Sequence, residues 1–233
     1  MARNQADGPL LIFDCDGVLV DSELLSLQVL LAAMARAGLT MTAAEAQARF
    51  LGRSMAATCD ILSERYGVDL ANDRLREMRE SLYELFRKEL RPIPHVKEAI
   101  KRVAVPRCVA SSSQLERIRL SLHVTGLLDL FEPNIYSASM VRDGKPAPDL
   151  FLFAAERMKA SASRCVVIED SPAGIEAGRR AGMTVFAFTG GSHAGAAAHR
   201  AAIRQAGPDA VFADMAELPA LVRRHRGAME QET

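Results

Sequence analysis

The sequence contains no tryptophan and few other aromatic residues, with 3 Tyr and 9 Phe among 233 residues. A pocket that stacks a nucleotide base usually offers an aromatic ring, so this scarcity gives no support to nucleotide binding. An excess of positive charge is also missing, because Lys plus Arg and Asp plus Glu both number 29. A general nucleic-acid binder carries a basic patch or stripe. We therefore expect no nucleic-acid partner.

Cysteine pairs and long apolar runs are absent as well. The four cysteines form no C-x-x-C pair. Cys108 and Cys165 lie in apolar runs and are predicted to be small core residues, whereas Cys15 should point away from the acids beside it. This usage is typical of a reduced, cytoplasmic protein. No apolar run approaches the ~20 residues of a membrane span, and the first residues, MARNQADGP, lack the order of a secretory signal and suggest a short disordered tail.

The most informative stretch that is present reads LLIFDCDGVLVDSE and starts at Leu10. Its first four residues are apolar, as expected for a fully buried strand. Asp14, Asp16 and Gly17 follow at once. Two buried carboxylates so close together are costly unless a cation, most simply a metal ion, lies between them. One of them can act as a nucleophile and the other as an acid or base.

The order of the predicted elements indicates an α/β fold with an inserted helical domain. Helical patterns alone fill the next stretch, over Ser22–Gly38, Thr42–Phe50, Ser54–Tyr66 and Ala71–Arg91. Pro92 and Pro94 then mark a boundary. Beyond them, strands are predicted at Arg107–Ala110, Asn134–Ala138, Cys165–Ile168, Thr184–Phe188 and Ala210–Phe212, and helices between them. Such alternation predicts a Rossmann-like parallel sheet covered on both faces, from residues 1–20 and 92–233, with 21–91 as the insertion.

Ligands of such sheets lie beyond the carboxyl ends of the strands, so the polar residues at those ends are the candidates for chemistry. They are Asp14 and Asp16, Ser111 and Ser112, Lys145, and Glu169 and Asp170. Each alone has an ordinary structural explanation, such as a helix cap or a solvated charge. Together they supply carboxylates for Mg²⁺, a cation for phosphate oxygens, and a hydroxyl at a helix N-terminus. This set suits phosphoryl transfer. No role is assigned to the histidines or to the Gly/Ala-rich stretch Gly190–Ala202, which is predicted to be a surface loop running into a helix.

Four segments, DCDGVLVDSE, VASSS, GKPAPD and VIEDSPAGIEAG, occur here in the order found in one known family. The sequence resembles the haloacid dehalogenase-like superfamily, in its phosphatase and β-phosphoglucomutase-like branch. The resemblance implies that Asp14 forms an aspartyl-phosphate and that Asp16 is the general acid and base. It implies a Mg²⁺ ion held by Asp14, the Asp16 carbonyl and Asp170. Glu169 would be a further ligand or a carboxylate that supports the others, and Ser111, Ser112 and Lys145 would bind the phosphate. The helices after Asp21 would form a mobile cap that selects the substrate.

Within this family we expect a phosphatase. A dehalogenase has no use for Asp16. A β-phosphoglucomutase carries a His early in the first cap helix and an Arg after a later turn, whereas Ser26 and Met55 stand at those positions here, with Arg53 two residues before Met55. The mutase stays the alternative. A non-catalytic binding protein is disfavoured, because every core catalytic residue is present.

The expected substrate is a small phosphorylated sugar or sugar acid, for example 6-phosphogluconate or a hexose 6-phosphate. Glu23, Arg53, Arg76 and Arg79 are polar candidates for its recognition in the cap, although most such residues are simply solvated. We expect a monomer or a weak homodimer that has no membrane partner.

Overall fold

The computed structural model describes residues 8–50 and 55–231. The predicted N-terminal tail before Gly8 and the candidate residue Arg53 lie outside the described residues. The chain divides into two compact units, one made of Met1–Asp21 with Arg91–Thr233 and the other of Ser22–Leu90. In the described part, none of the helices is long and apolar enough to cross a membrane.

The first unit is built on a six-stranded, fully parallel sheet in the order β3-β2-β1-β4-β5-β6. The strands are β1 (Leu10–Phe13), β2 (Arg107–Ser111), β3 (Ile135–Ser137), β4 (Cys165–Glu169), β5 (Thr184–Phe188) and β6 (Ala210–Phe212). Strand β1 is central, and its Ile12 is in register with Cys108 on one side and Val167 on the other. A central parallel strand is buried on both faces, which explains why β1 is apolar at all four positions.

Ten α-helices are present among the described residues. They are α1 (Glu23–Arg36), α2 (Ala43–Phe50), α3 (Met55–Tyr66), α4 (Asn72–Glu89), α5 (Val96–Arg102), α6 (Leu115–Val124), α7 (Asp149–Arg157), α8 (Pro172–Arg180), α9 (Ala197–Gln205) and α10 (Leu218–Gln231). The first four make up the second unit, where no strand occurs among the described residues. The remaining six alternate with the strands, and the predicted α/β fold class is confirmed.

The stretch after β5 was predicted to be a surface loop running into a helix, and the structure confirms the helix but differs in the loop. A short 3₁₀ helix runs over Ser192–Gly195, and α9 follows it directly. His193 and Ala194 in this turn are buried, with 1% exposure each. The prediction of an exposed loop was wrong for these two residues, because Ala and Gly are often fully buried and a Gly/Ala-rich composition does not indicate exposure.

The cysteine predictions are confirmed for the core. Cys108 and Cys165 are fully buried and are not in a disulfide. Burial raises the pKa of the Cys165 thiol to about 11, so the thiol stays protonated and unreactive at neutral pH.

The packing of α8 on the sheet depends on Gly178. A Cβ atom added there would lie 2.7 Å from Cγ2 of Val185 and 3.5 Å from Cβ of Val167. Both valines are fully buried and have stiff side chains, so neither can move aside cheaply.

We predict that Gly178→Val lowers the free energy of unfolding by about 2–3 kcal/mol, the cost of overpacking a core. Gly227→Val is the matched control, because Gly227 is also helical and a Cβ there meets no atom within 4 Å. Urea denaturation of both variants measures the difference. Equal stability of the two variants would contradict this account of the α8 packing.

Candidate active site

The predicted site residues at the ends of β1, β2 and β4 come together at one edge of the sheet. The backbone N–H of Asp14 donates to the carbonyl of Ile168 at 3.0 Å, so Asp14 continues the ladder between β1 and β4. Ser111 ends β2 and Glu169 ends β4. Because all these strands are parallel, their carboxyl ends lie side by side, as expected for the ligand site of an open α/β sheet.

The turn after β1 requires glycine at position 17 for two reasons. Gly17 has φ +75°, which lies in the left-handed region, and its N–H donates to the carbonyl of Val20 at 2.8 Å. A Cβ atom at this position would lie 2.0 Å from Oδ2 of Asp170. The missing side chain therefore makes the tight turn possible and lets Asp170 approach the β1 turn closely.

Lys145 joins two of the buried carboxylates. Its Nζ donates to Oδ1 of Asp14 at 2.8 Å, to Oε1 of Glu169 at 2.7 Å and to the carbonyl of Ala110 at 3.2 Å. The side chain is only 5% exposed. Burial alone would lower the pKa of the Lys145 ammonium, but Asp14 and Glu169 outweigh that effect and raise the pKa above its usual value. The lysine therefore stays charged inside the site.

Asp14, Glu169 and Asp170 form an acidic cluster that could hold a metal ion. All three are buried, and each offers an oxygen within 4.8 Å of the oxygens of the other two. Burial raises the pKa of Asp14 well above its usual value, Lys145 opposes this, and Glu169 and Asp170 reinforce it by repulsion. One lysine thus does not balance the cluster, and a bound cation would favour the charged form of Asp14.

Glu169 is the most firmly held member of the cluster. Its Oε2 accepts hydrogen bonds from the backbone N–H groups of Asp170 and Ser171 at 2.8 Å each, and from the Ser171 hydroxyl at 2.9 Å. Its Oε1 accepts from Lys145. A Cβ atom at Gly174 would lie 1.8 Å from Oε1, so the first turn of α8 leaves space for this carboxylate. Both oxygens of Glu169 are therefore engaged with protein donors.

Asp170 has a partner that the sequence analysis missed, because no role was assigned to any histidine. Nε2 of His193 lies 2.9 Å from Oδ2 of Asp170, and the imidazole is fully enclosed. Burial raises the pKa of Asp170, and His193 opposes that rise. His193 follows β5, the neighbour of β4, by five residues. A search for polar residues beyond the carboxyl end of β5, like the search made for the other strands, would have identified this turn.

Asp16 is held apart from the acidic cluster by a different set of residues. The Ser113 hydroxyl donates to Oδ2 of Asp16 at 2.6 Å, and Nη2 of Arg117 donates to Oδ1 at 2.8 Å. Ser113 belongs to the quoted VASSS segment but was not singled out, and Arg117, in the first turn of α6, was missed. A charged residue at the start of a helix gives no signal in the sequence that separates it from a solvated one.

The two predicted phosphate-binding serines differ in their surroundings. Ser111 is buried, and its Oγ accepts a hydrogen bond from the N–H of Ser113 at 3.2 Å. Ser112 is exposed at the start of the loop that leads to α6. Ser111 therefore ends the strand that pairs with β1 and has a hydrogen-bonded hydroxyl, whereas Ser112 is exposed beyond the end of that strand.

Comparison with known proteins supports the resemblance stated from the motifs. The sequence model of the family described as haloacid dehalogenase-like hydrolase matches residues 11–188. The chain is 31% identical over 182 residues to the 6-phosphogluconate phosphatase of Escherichia coli, covering 78% of this chain and 82% of that protein. It is 31% identical over 176 residues to a fructose-1-phosphate phosphatase of the same bacterium, covering 74% of this chain and 92% of that protein.

A solved structure shows the same fold over almost the whole chain. It is a haloacid dehalogenase-like protein of unknown function from Agrobacterium tumefaciens, 36% identical, with a TM-score of 0.82 and coverage of 94% of this chain and 99% of that one. The chain belongs to the haloacid dehalogenase-like hydrolases, as a phosphoric monoester hydrolase of their phosphatase branch.

Proposed function

We propose that this protein is a Mg²⁺-dependent phosphatase that hydrolyses a small phosphorylated sugar or sugar acid through an aspartyl-phosphate. The proposal rests on one observation: two aspartates only two residues apart have different bonding partners. Asp14 lies in the acidic cluster against Lys145, whereas Asp16 is held by Ser113 and Arg117. Two carboxylates in different surroundings can take the different roles of nucleophile and acid.

The proposed reaction has two steps. A carboxylate oxygen of Asp14 attacks phosphorus, and the bond between phosphorus and the ester oxygen breaks with its electron pair moving to that oxygen, which takes a proton from Asp16. Water then attacks the phosphorus of the aspartyl-phosphate and gives its proton to Asp16. The bond to Asp14 breaks and its electron pair returns to the carboxylate. Lys145 and Ser111 would hold the phosphoryl oxygens in both steps.

The donor set fits Mg²⁺. Mg²⁺ is a hard ion that prefers oxygen ligands, and the cluster offers only carboxylate oxygens. We assign Asp14, Asp170 and the Asp16 carbonyl as ligands. Glu169 is better described as a support, because its two oxygens already accept hydrogen bonds from Lys145, Ser171 and the Asp170 N–H. The ion, when bound, would neutralise negative charge on the transferring phosphoryl group.

The sugar-phosphate substrate class rests on the two phosphatase relatives, and 6-phosphogluconate is the first substrate to test. A β-phosphoglucomutase is the second candidate. Against it, Ser26 stands where the mutase histidine is expected, and its hydroxyl donates at 3.0 Å to the carbonyl of Ser22, the residue just before α1. The assignment of the helical unit as a substrate-selecting cap, the residues Glu23, Arg76 and Arg79 within it, the cytoplasmic location and the monomer or weak homodimer stay predictions.

Asp14→Asn tests the nucleophile. We expect kcat for p-nitrophenyl phosphate to fall by at least about 10³-fold, because an amide cannot form the acyl-phosphate. Circular dichroism checks that the fold is kept, and Asp129→Asn, at an exposed position, is the matched control. Turnover by Asp14→Asn at the parent rate would show that the aspartyl-phosphate mechanism is wrong.

His193→Phe tests the environment of the metal site without relying on activity. The variant keeps an aromatic ring but removes the nitrogen that contacts Asp170. Loss of a hydrogen-bonding partner of a metal ligand typically weakens metal binding about 10–100-fold. Isothermal titration with Mg²⁺ measures the change, with the exposed His123→Phe as the control. Parent-like Mg²⁺ affinity in His193→Phe would exclude this supporting role.

Supplying β-glucose 1-phosphate with a catalytic amount of glucose 1,6-bisphosphate separates phosphatase from mutase. For a phosphatase we expect inorganic phosphate as the product, measured by a molybdate assay. Rapid formation of glucose 6-phosphate without inorganic phosphate would instead establish the mutase.

A further inference from the structure

We infer that Arg117, together with Ser113, is a positioning residue that orients the Asp16 carboxylate for proton transfer to the leaving group. The inference rests on the proposed function, because it assigns Arg117 a role that acts through the proposed acid and base. Arg117 is then a second cation of the site, and it pairs with Asp16 as Lys145 pairs with Asp14.

The Asp16 carboxylate is held as in a clamp, with a donor on each of its two oxygens. Nη2 of Arg117 donates to Oδ1 of Asp16 at 2.8 Å, and the Ser113 hydroxyl donates to Oδ2 at 2.6 Å. Donors on both oxygens fix the plane of the carboxylate, whereas a single donor would leave it free to rotate. Bonds to charged groups are also the shorter and stronger ones.

The clamp is anchored in the sheet. The N–H of Ser113 donates to Oγ of Ser111, the last residue of β2, at 3.2 Å, and the Ser137 hydroxyl at the end of β3 donates to the carbonyl of Ser113 at 2.7 Å. Arg117 lies in the first turn of α6, directly after this loop. Two strand ends therefore fix the segment that holds Asp16, which is the arrangement expected of a precise positioning device.

The ion pair of Arg117 and Asp16 is largely shielded from water. The Arg117 side chain is 20% exposed and that of Asp16 is 13% exposed. For contrast, the pair of Arg119 and Glu132, which starts from the same helix, is 48% and 33% exposed. Exposed pairs contribute little, whereas a mostly enclosed pair is screened less by water and holds its geometry more firmly.

Orientation has a specific chemical consequence here. An alkoxide is a poor leaving group and needs the proton from Asp16 as the ester bond breaks, whereas p-nitrophenolate leaves without one. A misaligned acid therefore slows hydrolysis of sugar phosphates and leaves that of p-nitrophenyl phosphate almost unchanged. A merely structural role of Arg117 would instead reduce both reactions alike.

The test compares kcat/KM for 6-phosphogluconate, glucose 6-phosphate and p-nitrophenyl phosphate, since kcat/KM reports the first, bond-breaking step. In Arg117→Gln we expect kcat/KM for the sugar phosphates to fall about 10–100-fold and kcat/KM for the aryl ester to change little. The expected loss is a part of the ~10²–10⁴-fold that acid catalysis contributes. Arg117→Lys should recover part of the loss, because an ammonium is a single point charge without the planar fork. Arg119→Gln should behave as the parent.

A double-mutant cycle with Asp16→Asn decides whether Arg117 acts through Asp16. On p-nitrophenyl phosphate and on the sugar phosphates, Arg117→Gln should add no further loss in the Asp16→Asn background. An equal loss on aryl and sugar substrates, or full additivity in the cycle, would overturn the inference and point to a structural or substrate-binding role. A parent that hydrolyses none of the three esters would overturn the proposed function, and this inference with it.

Discussion

The organisation of the site depends on the cost of placing four carboxylates at one edge of a buried sheet. Water is largely excluded there, so each negative charge needs a partner. The protein gives different partners to different carboxylates: Lys145 to Asp14 and Glu169, Arg117 to Asp16, and His193 to Asp170. This separation keeps Asp16 chemically distinct from the acidic cluster, although only Cys15 stands between Asp16 and Asp14 in the chain. Asp14, Glu169 and Asp170 still outnumber their lysine, which is why the cluster suits a metal ion.

The carboxylates can lie this close together because the backbone packs closely around them. Asp170 can lie against the β1 turn only because Gly17 has no side chain, and the same holds for Glu169 and Gly174 in the first turn of α8. These glycines act through space as well as through their backbone freedom. The site is therefore part of the packing between β1, β4 and α8, and the carboxylates cannot be treated as groups added to a finished fold.

The sequence alone predicted the parts of this arrangement that depend on position along a strand. Asp14, Ser111 and Glu169 could be placed at one edge because apolar runs reveal strands and parallel strands align their ends. His193 could have been found, because it follows β5 by five residues, but the strand-end rule was not applied there. Arg117 could not be placed, because its importance comes from a contact with Asp16, about 100 residues away in the chain. No local pattern marks such a contact. Ser113 is an intermediate case. The VASSS segment was recognised in the sequence, but the sequence did not reveal which of its three hydroxyls contacts Asp16.

The different partners of Asp14 and Asp16 also bear on which molecule receives the phosphoryl group in the proposed mechanism. Water and a sugar hydroxyl both lose a proton when they attack, and the proposed mechanism gives that proton to Asp16 in either case. Among the described residues of the sheet unit, the groups that hold Asp14 and Asp16 therefore serve hydrolysis and mutase chemistry equally well. Under the proposed function, we expect the discrimination to come from the helical unit, where Ser26 stands at the position of the mutase histidine and its hydroxyl donates to the carbonyl of Ser22. A hydroxyl committed in this way cannot take over the acid and base role of an imidazole, so transfer to water is the outcome that the residues of this chain favour.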